Sequence, residues 1–129
     1  MMAIVRSIHS PDLLDMRAQQ PVDPGNFRIL VQALIGPEDS DAADSFEWCI
    51  CTPRWLESHL SASRYEFGHG YLVVNHYSYQ LIADAIESLC EAQPGTTWAE
   101  VAGALGRYGR WEFQGYEVAR RRSHESAQS

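Results

Sequence analysis

The chain has 129 residues, a 45% hydrophobic fraction and four tryptophans, which excludes a disordered adaptor and fits one domain with a single core. It contains no lysine, which excludes lysine Schiff-base chemistry and the lysine of a phosphate-binding loop. Its formal charge is −7; without residues 120–129, which hold Arg120, Arg121, Arg122 and Glu125, seven arginines face 16 carboxylates, a net −9, so nucleic acid is excluded as a partner and a basic protein is favoured.

In chain order, residues 2–8 read as a first strand, with Ala3, Val5 and Ser7 opposite Met2, Ile4, Arg6 and Ile8. The N-terminus has no signal-peptide core, and no run of about 18 apolar residues follows, so a cytoplasmic protein without a membrane span is expected. Residues 9–25 form a long connection carrying Pro11, Pro21, Pro24 and Gly25, with a turn of helix expected at 11–16. The second strand spans 26–35. Its Phe27, Ile29, Val31, Ala33 and Ile35 form one apolar face, while Arg28 and Gln32 mark the other. A polar turn leads into a third strand at 45–51 and gathers Glu38, Asp39, Asp41 and Asp44 at one hairpin tip.

Cys51-Thr52-Pro53-Arg54-Trp55-Leu56 marks a strand-to-helix junction. Thr52 is expected to cap the free N–H groups of the first turn, and Pro53 suits the first helical position. The helix runs to about Leu60, with Trp55, Leu56 and Leu60 as its apolar stripe. A fourth strand is expected at 70–76. The longest helix follows at 78–92, placing Leu81, Ile82, Ala85, Ile86, Leu89 and Cys90 on one face. Thr97 and Glu100 have capping-box spacing at the head of a helix that ends near Gly106. Trp111-Glu112-Phe113 suits a short strand or packed extension.

The predicted fold class is α+β, an antiparallel sheet of about four strands with helices packed on one face, in β-β-β-α-β-α-α order. One domain is expected over 1–118, with 119–129 a disordered tail.

Chemistry-bearing residues are dispersed. Cys49 and Cys51 share a strand face, but no second cysteine pair or His-x-x-x-His completes a metal set, and Cys90 lies on an apolar helix side. The five histidines fall in different elements. Glu38, Asp39, Asp41 and Asp44 lack the glycine and terminal glutamate of a calcium loop. No catalytic residue, cofactor or metal is therefore expected. Trp48, Trp55, Trp98 and Trp111 read as core by default, an exposed one being an interface candidate.

Four segments taken together are more specific than any alone. Ile8-His9-Ser10-Pro11-Asp12, the strand Phe27 to Pro37 with the Cys51–Leu56 junction, and Arg107-Tyr108-Gly109-Arg110-Trp111-Glu112-Phe113 stand in an order and spacing that resembles the immunity protein 8 family of bacterial polymorphic toxin systems. The resemblance covers roughly residues 2–116. It implies a small non-enzymatic protein that binds and silences a toxin made by the same cell. The acidic charge fits a basic toxin of the nucleic-acid-cutting kind. Two surfaces are candidates for the contact: the tip with Glu38, Asp39, Asp41 and Asp44, and the uncovered sheet face around Arg28, Gln32 and Glu47. The alternative reading is a small cytosolic enzyme or ligand-binding α+β domain built on Gly68-His69-Gly70 and the Cys49/Cys51 strand.

Overall fold

The alternation from Phe27 to Ile35 decides which side of the sheet is dry, because successive side chains on a strand point to opposite faces. In the computed structural model, which describes residues 1–113, the elements run β1 (Ala3–His9), β2 (Arg28–Pro37), β3 (Asp44–Cys51), α1 (Pro53–Ser63), β4 (Tyr71–Val73), α2 (Tyr79–Glu91), α3 (Trp98–Leu105) and β5 (Arg110–Trp111). The expected tail at 119–129 lies outside the described residues. The sheet order is β1-β2-β3-β4, with β5 also pairing β3. The α+β class and the element order match the sequence reading.

Register places the dry face residue by residue. Ile29, Val31 and Ala33 of β2 stand opposite Ile50, Trp48 and Phe46 of β3, and all six are buried. Onto this face come Ile82, Ala83, Ile86 and Cys90 from α2, and Val101, Ala102 and Leu105 from α3. The buried side of α2 is turned slightly from the predicted stripe: Ala83 is inside and Leu81 is exposed. Gly109 lies flat on Trp48, where a Cβ would come 2.6 Å from the indole ring.

Four details depart from expectation, each with a physical cause. A β-bulge between Val5 and Ser7 shifts the register of β1, so Ile8 rather than Ser7 follows Ala3 and Val5 onto the core face. β3 and β4 pair in parallel, making the sheet mixed, because α1 carries the chain back along the sheet in a crossover that a hairpin cannot make. β4 stops at Val73 instead of 76: Val74 still donates to the Cys51 carbonyl at 2.9 Å, but the Tyr77 N–H already bonds to Pro24, so the chain has left the sheet. At 11–16 there is no helix. Asp15 instead caps a turn, its Oδ1 accepting from the N–H groups of Arg17 and Ala18.

Two caps contrast. Ser78 and Thr97 accept hydrogen bonds from the first turns of α2 and α3, at 3.2 Å from Leu81 and Glu100. Thr52 does not cap α1. Fully buried, it accepts from the Phe27 N–H at 3.2 Å and ties the start of β2 to the end of β3. Pro53 does occupy the head of that helix, as its fixed φ suits.

Candidate functional site

The two predicted surfaces lie in different surroundings. At the β2–β3 turn, Glu38, Asp39 and Asp41 are exposed, and Glu38 Oε1 accepts from the Met2 N–H at 3.3 Å. Arg6, displaced outward by the bulge, donates to the carbonyls of Pro37 and Ser40 at 2.7 and 2.6 Å, placing a positive charge beneath the turn. Asp44 does not join them at the tip. It begins β3, and its Oδ2 accepts from the indole N–H groups of both Trp98 and Trp111 at 3.0 Å. That carboxylate binds α3 and β5 to the sheet, and the tip keeps three exposed acids rather than four.

Arg28, Gln32 and Glu47 share the reverse face of the sheet, as their alternation predicts. Gln32 stands opposite Glu47 across β2–β3 and opposite His9 across β1–β2. A hydrogen-bonded row results: His9 Nε2 to Gln32 Oε1 at 2.8 Å, and Gln32 Nε2 to Glu47 Oε2 at 3.3 Å. A carboxylate only accepts, so the Gln32 amide turns its NH2 to Glu47 and its oxygen to His9, which must then donate from Nε2. Leu34 is exposed beside this row.

At the other end of the same face lies α1, none of whose residues is buried. The helices are therefore not confined to one face as expected: α1 lies opposite α2 and α3 because it packs beside Arg28 and Val73. The Arg28 guanidinium sits 5.8 Å from the Trp55 ring centroid, a cation–π contact. Trp55 stacks on His59 with centroids 4.7 Å apart and planes inclined by 12°, and His59 Nε2 meets Glu66 Oε2 at 2.7 Å. Arg28 also neighbours the Cys49 thiol and the Tyr71 hydroxyl. Sequence reading named Arg28 but not Trp55, His59 or Tyr71 as its companions. The available signal was the Trp55–His59 spacing of four, which places both rings on one helix face.

In the alternative site the Gly68-His69-Gly70 loop adjoins β3, the Cys49 N–H donating to the Gly70 carbonyl at 2.7 Å, but its side chains are engaged elsewhere or buried. The His69 ring contacts the Gly106 carbonyl at 2.8 Å, and His76 turns to Asn75. Cys49 and Cys51 are buried, and the Cys51 thiol is pushed up to about 11 by burial and by Cys49, so it is protonated at neutral pH and a poor nucleophile. Cys90 is likewise a buried thiol, pushed up to about 12 by burial. Among the described residues, no three His, Cys, Asp or Glu side chains are grouped to hold a metal ion. Nor is any of their helices long and apolar enough to cross a membrane.

Arginines and carboxylates remain apart as well. Among the described residues His59–Glu66 is the one contact of ion-pair type, so no arginine there neutralises a carboxylate directly. The acidic field is therefore largely left to solvent and to whatever binds.

A buried apolar face and a reverse face lined with polar and aromatic side chains define a small α+β domain. Residues 3–116 match the family model described as Immunity protein 8, and the chain belongs to that family. No curated protein and no solved structure matches it.

Proposed function

We propose that this protein neutralises one cognate toxin of a bacterial polymorphic toxin system by forming a stable complex with it in the cytoplasm of the cell that makes both. Family membership supports the immunity role. The observation that carries the location is the reverse face, which carries the His9–Gln32–Glu47 row at one end and the Arg28–Trp55–His59 stack at the other, without α2 or α3 over them. Tryptophan and arginine dominate binding hot spots, and a polar row already aligned costs little ordering on contact. The exposed acids Glu38, Asp39 and Asp41 act as steering charges for a basic toxin, a nuclease being the class such charge suits best. No catalysis is assigned to the chain itself.

Co-expression with the toxin domain encoded beside its gene is the test. The unmodified protein should protect cells and co-purify with that domain. Trp55→Ala and Gln32→Ala should each weaken the complex about tenfold or more through faster dissociation. Failure of protection and of co-purification by well-folded protein would end the immunity reading. Loss of binding in a Glu38→Gln/Asp39→Asn/Asp41→Asn variant, with both reverse-face variants intact, would move the site to the tip.

A further inference from the structure

The turn that joins α1 to β4 holds the one positive-φ residue among the described residues that is not glycine. Arg64 closes α1 in the left-handed region, φ 77° and ψ −24°, with its N–H bonded to the Leu60 carbonyl at 2.8 Å. Glycine is the residue that takes this conformation without strain. What the strained turn delivers is two aromatic side chains in water. Tyr65 is 70% exposed and Phe67 is 79% exposed, set edge to face with centroids 6.0 Å apart. Between them Glu66 turns the opposite way to meet His59, which continues through Trp55 to Arg28. The exposed pair is thus mechanically continuous with the reverse face. Beside α1, Pro53, Leu56, Leu60 and Val73 line a shallow groove of about 500 Å³.

An exposed Tyr–Phe pair on an ordered turn adds nothing to the core, and its apolar area is left in contact with water. Strained backbone that caps a helix and presents such a pair is found at binding elements. Nucleic acid and anionic lipid also accept aromatic rings, but both are repelled by the net −9 of the chain without its last ten residues. The occupant favoured by charge is a protein with cationic side chains around an apolar cleft.

We infer that Tyr65 and Phe67 are the anchoring side chains of the complex, inserted together into an apolar cleft of the toxin whose cationic rim faces the acidic domain. The inference rests on the toxin-binding reading above. His59 and Trp55 act behind the pair as positioning residues: by holding Glu66, they fix which way its two neighbours point.

The test measures binding of the purified full chain to the toxin domain encoded beside its gene, together with thermal unfolding and sedimentation of the chain alone. Tyr65→Ala/Phe67→Ala should raise Kd about 100-fold or more, mostly through dissociation, as two hot-spot truncations do, with the unfolding midpoint unchanged. Tyr65→Phe should remain within about threefold of the unmodified protein, and so should Leu14→Ala, which removes an even more exposed apolar side chain elsewhere. A double variant that binds as tightly as the unmodified chain would overturn the inference while leaving toxin binding intact. A double variant that instead converts a dimer to a monomer at unchanged toxin affinity would also overturn it, assigning the pair to a second copy. An unmodified chain that fails to bind at all would remove the reading on which the inference rests.

Discussion

The two ends of β3 use tryptophan in opposite ways. At Asp44 the indoles of Trp98 and Trp111 turn inward and donate to one shared carboxylate, so charge and aromatic area are spent on joining α3 and β5 to the sheet. Past Cys51, Trp55 turns outward to Arg28 and His59 on a helix with no buried residue. Residue type alone does not separate the two cases. An aspartate drawn from an acidic turn proves to be a folding element, and a tryptophan on a short amphipathic helix proves to be half-buried but apart from the core. The difference lies in the elements that close over each residue.

That contrast can be broken first at Asp44. Asp44→Ala leaves two indole N–H groups without their acceptor and should destabilise the protein by about 2–3 kcal/mol, whereas Asp44→Asn, which keeps an oxygen, should lose markedly less. Chemical denaturation of the three proteins checks this; equal stability of Asp44→Ala and unmodified protein would return Asp44 to the tip. At the far end the folding link is Thr52 rather than any aromatic ring. Thr52→Val keeps the shape but strands the Phe27 N–H, and should cost about 1–2 kcal/mol. Arg64→Gly should act in the other direction. Relief of the left-handed backbone should stabilise by about 0.5–1 kcal/mol, read as a midpoint higher by a few degrees, because glycine regains part of the gain as unfolded-chain entropy. Smallest of all, neutralising Glu38, Asp39 and Asp41 together should change stability by less than about 0.5 kcal/mol. Its effect should appear in association with the toxin, slower and less sensitive to salt than in the unmodified protein, since exposed charges are screened over about 8 Å at physiological ionic strength.

Much of the fold was legible where periodicity is strong. β2 shows a strict alternation, and α2 a stripe flanked by Ser78 and Pro94, so both appear within two residues of their predicted limits. The β2–β3 hairpin paired as expected; what failed was the direction of β4 and the register of β1, because sequence neighbours do not reveal them. The parallel partnership of β3 and β4 depends on where α1 delivers the chain, and the bulge in β1 depends on matching Val5 to Ile35 and Ser7 to Leu34. The candidate surface was half legible for the same reason. Alternation alone put Arg28, Gln32 and Glu47 on one face. The stack from Arg28 through Trp55 and His59 to Glu66 joins a strand, a helix and a turn, and only folding brings those three together. Thr52 shows the reverse error: a residue with ideal capping chemistry was claimed by a neighbouring strand with an unpaired N–H.

The bulge in β1 has a consequence for the life of the free protein. Among the described residues β1 ends the sheet order, so one side of its backbone is not paired there to another strand. An open edge of this kind is a template for uncontrolled sheet extension, a hazard for any protein that must be kept in stock before its target is present. The misregister at Val5 and Ser7 interrupts the regular spacing of edge donors and acceptors, and it sets the charged Arg6 at the interruption. An incoming strand would meet a kink instead of a ladder. The irregularity that upset the simple alternation of β1 thus doubles as a guard against aggregation.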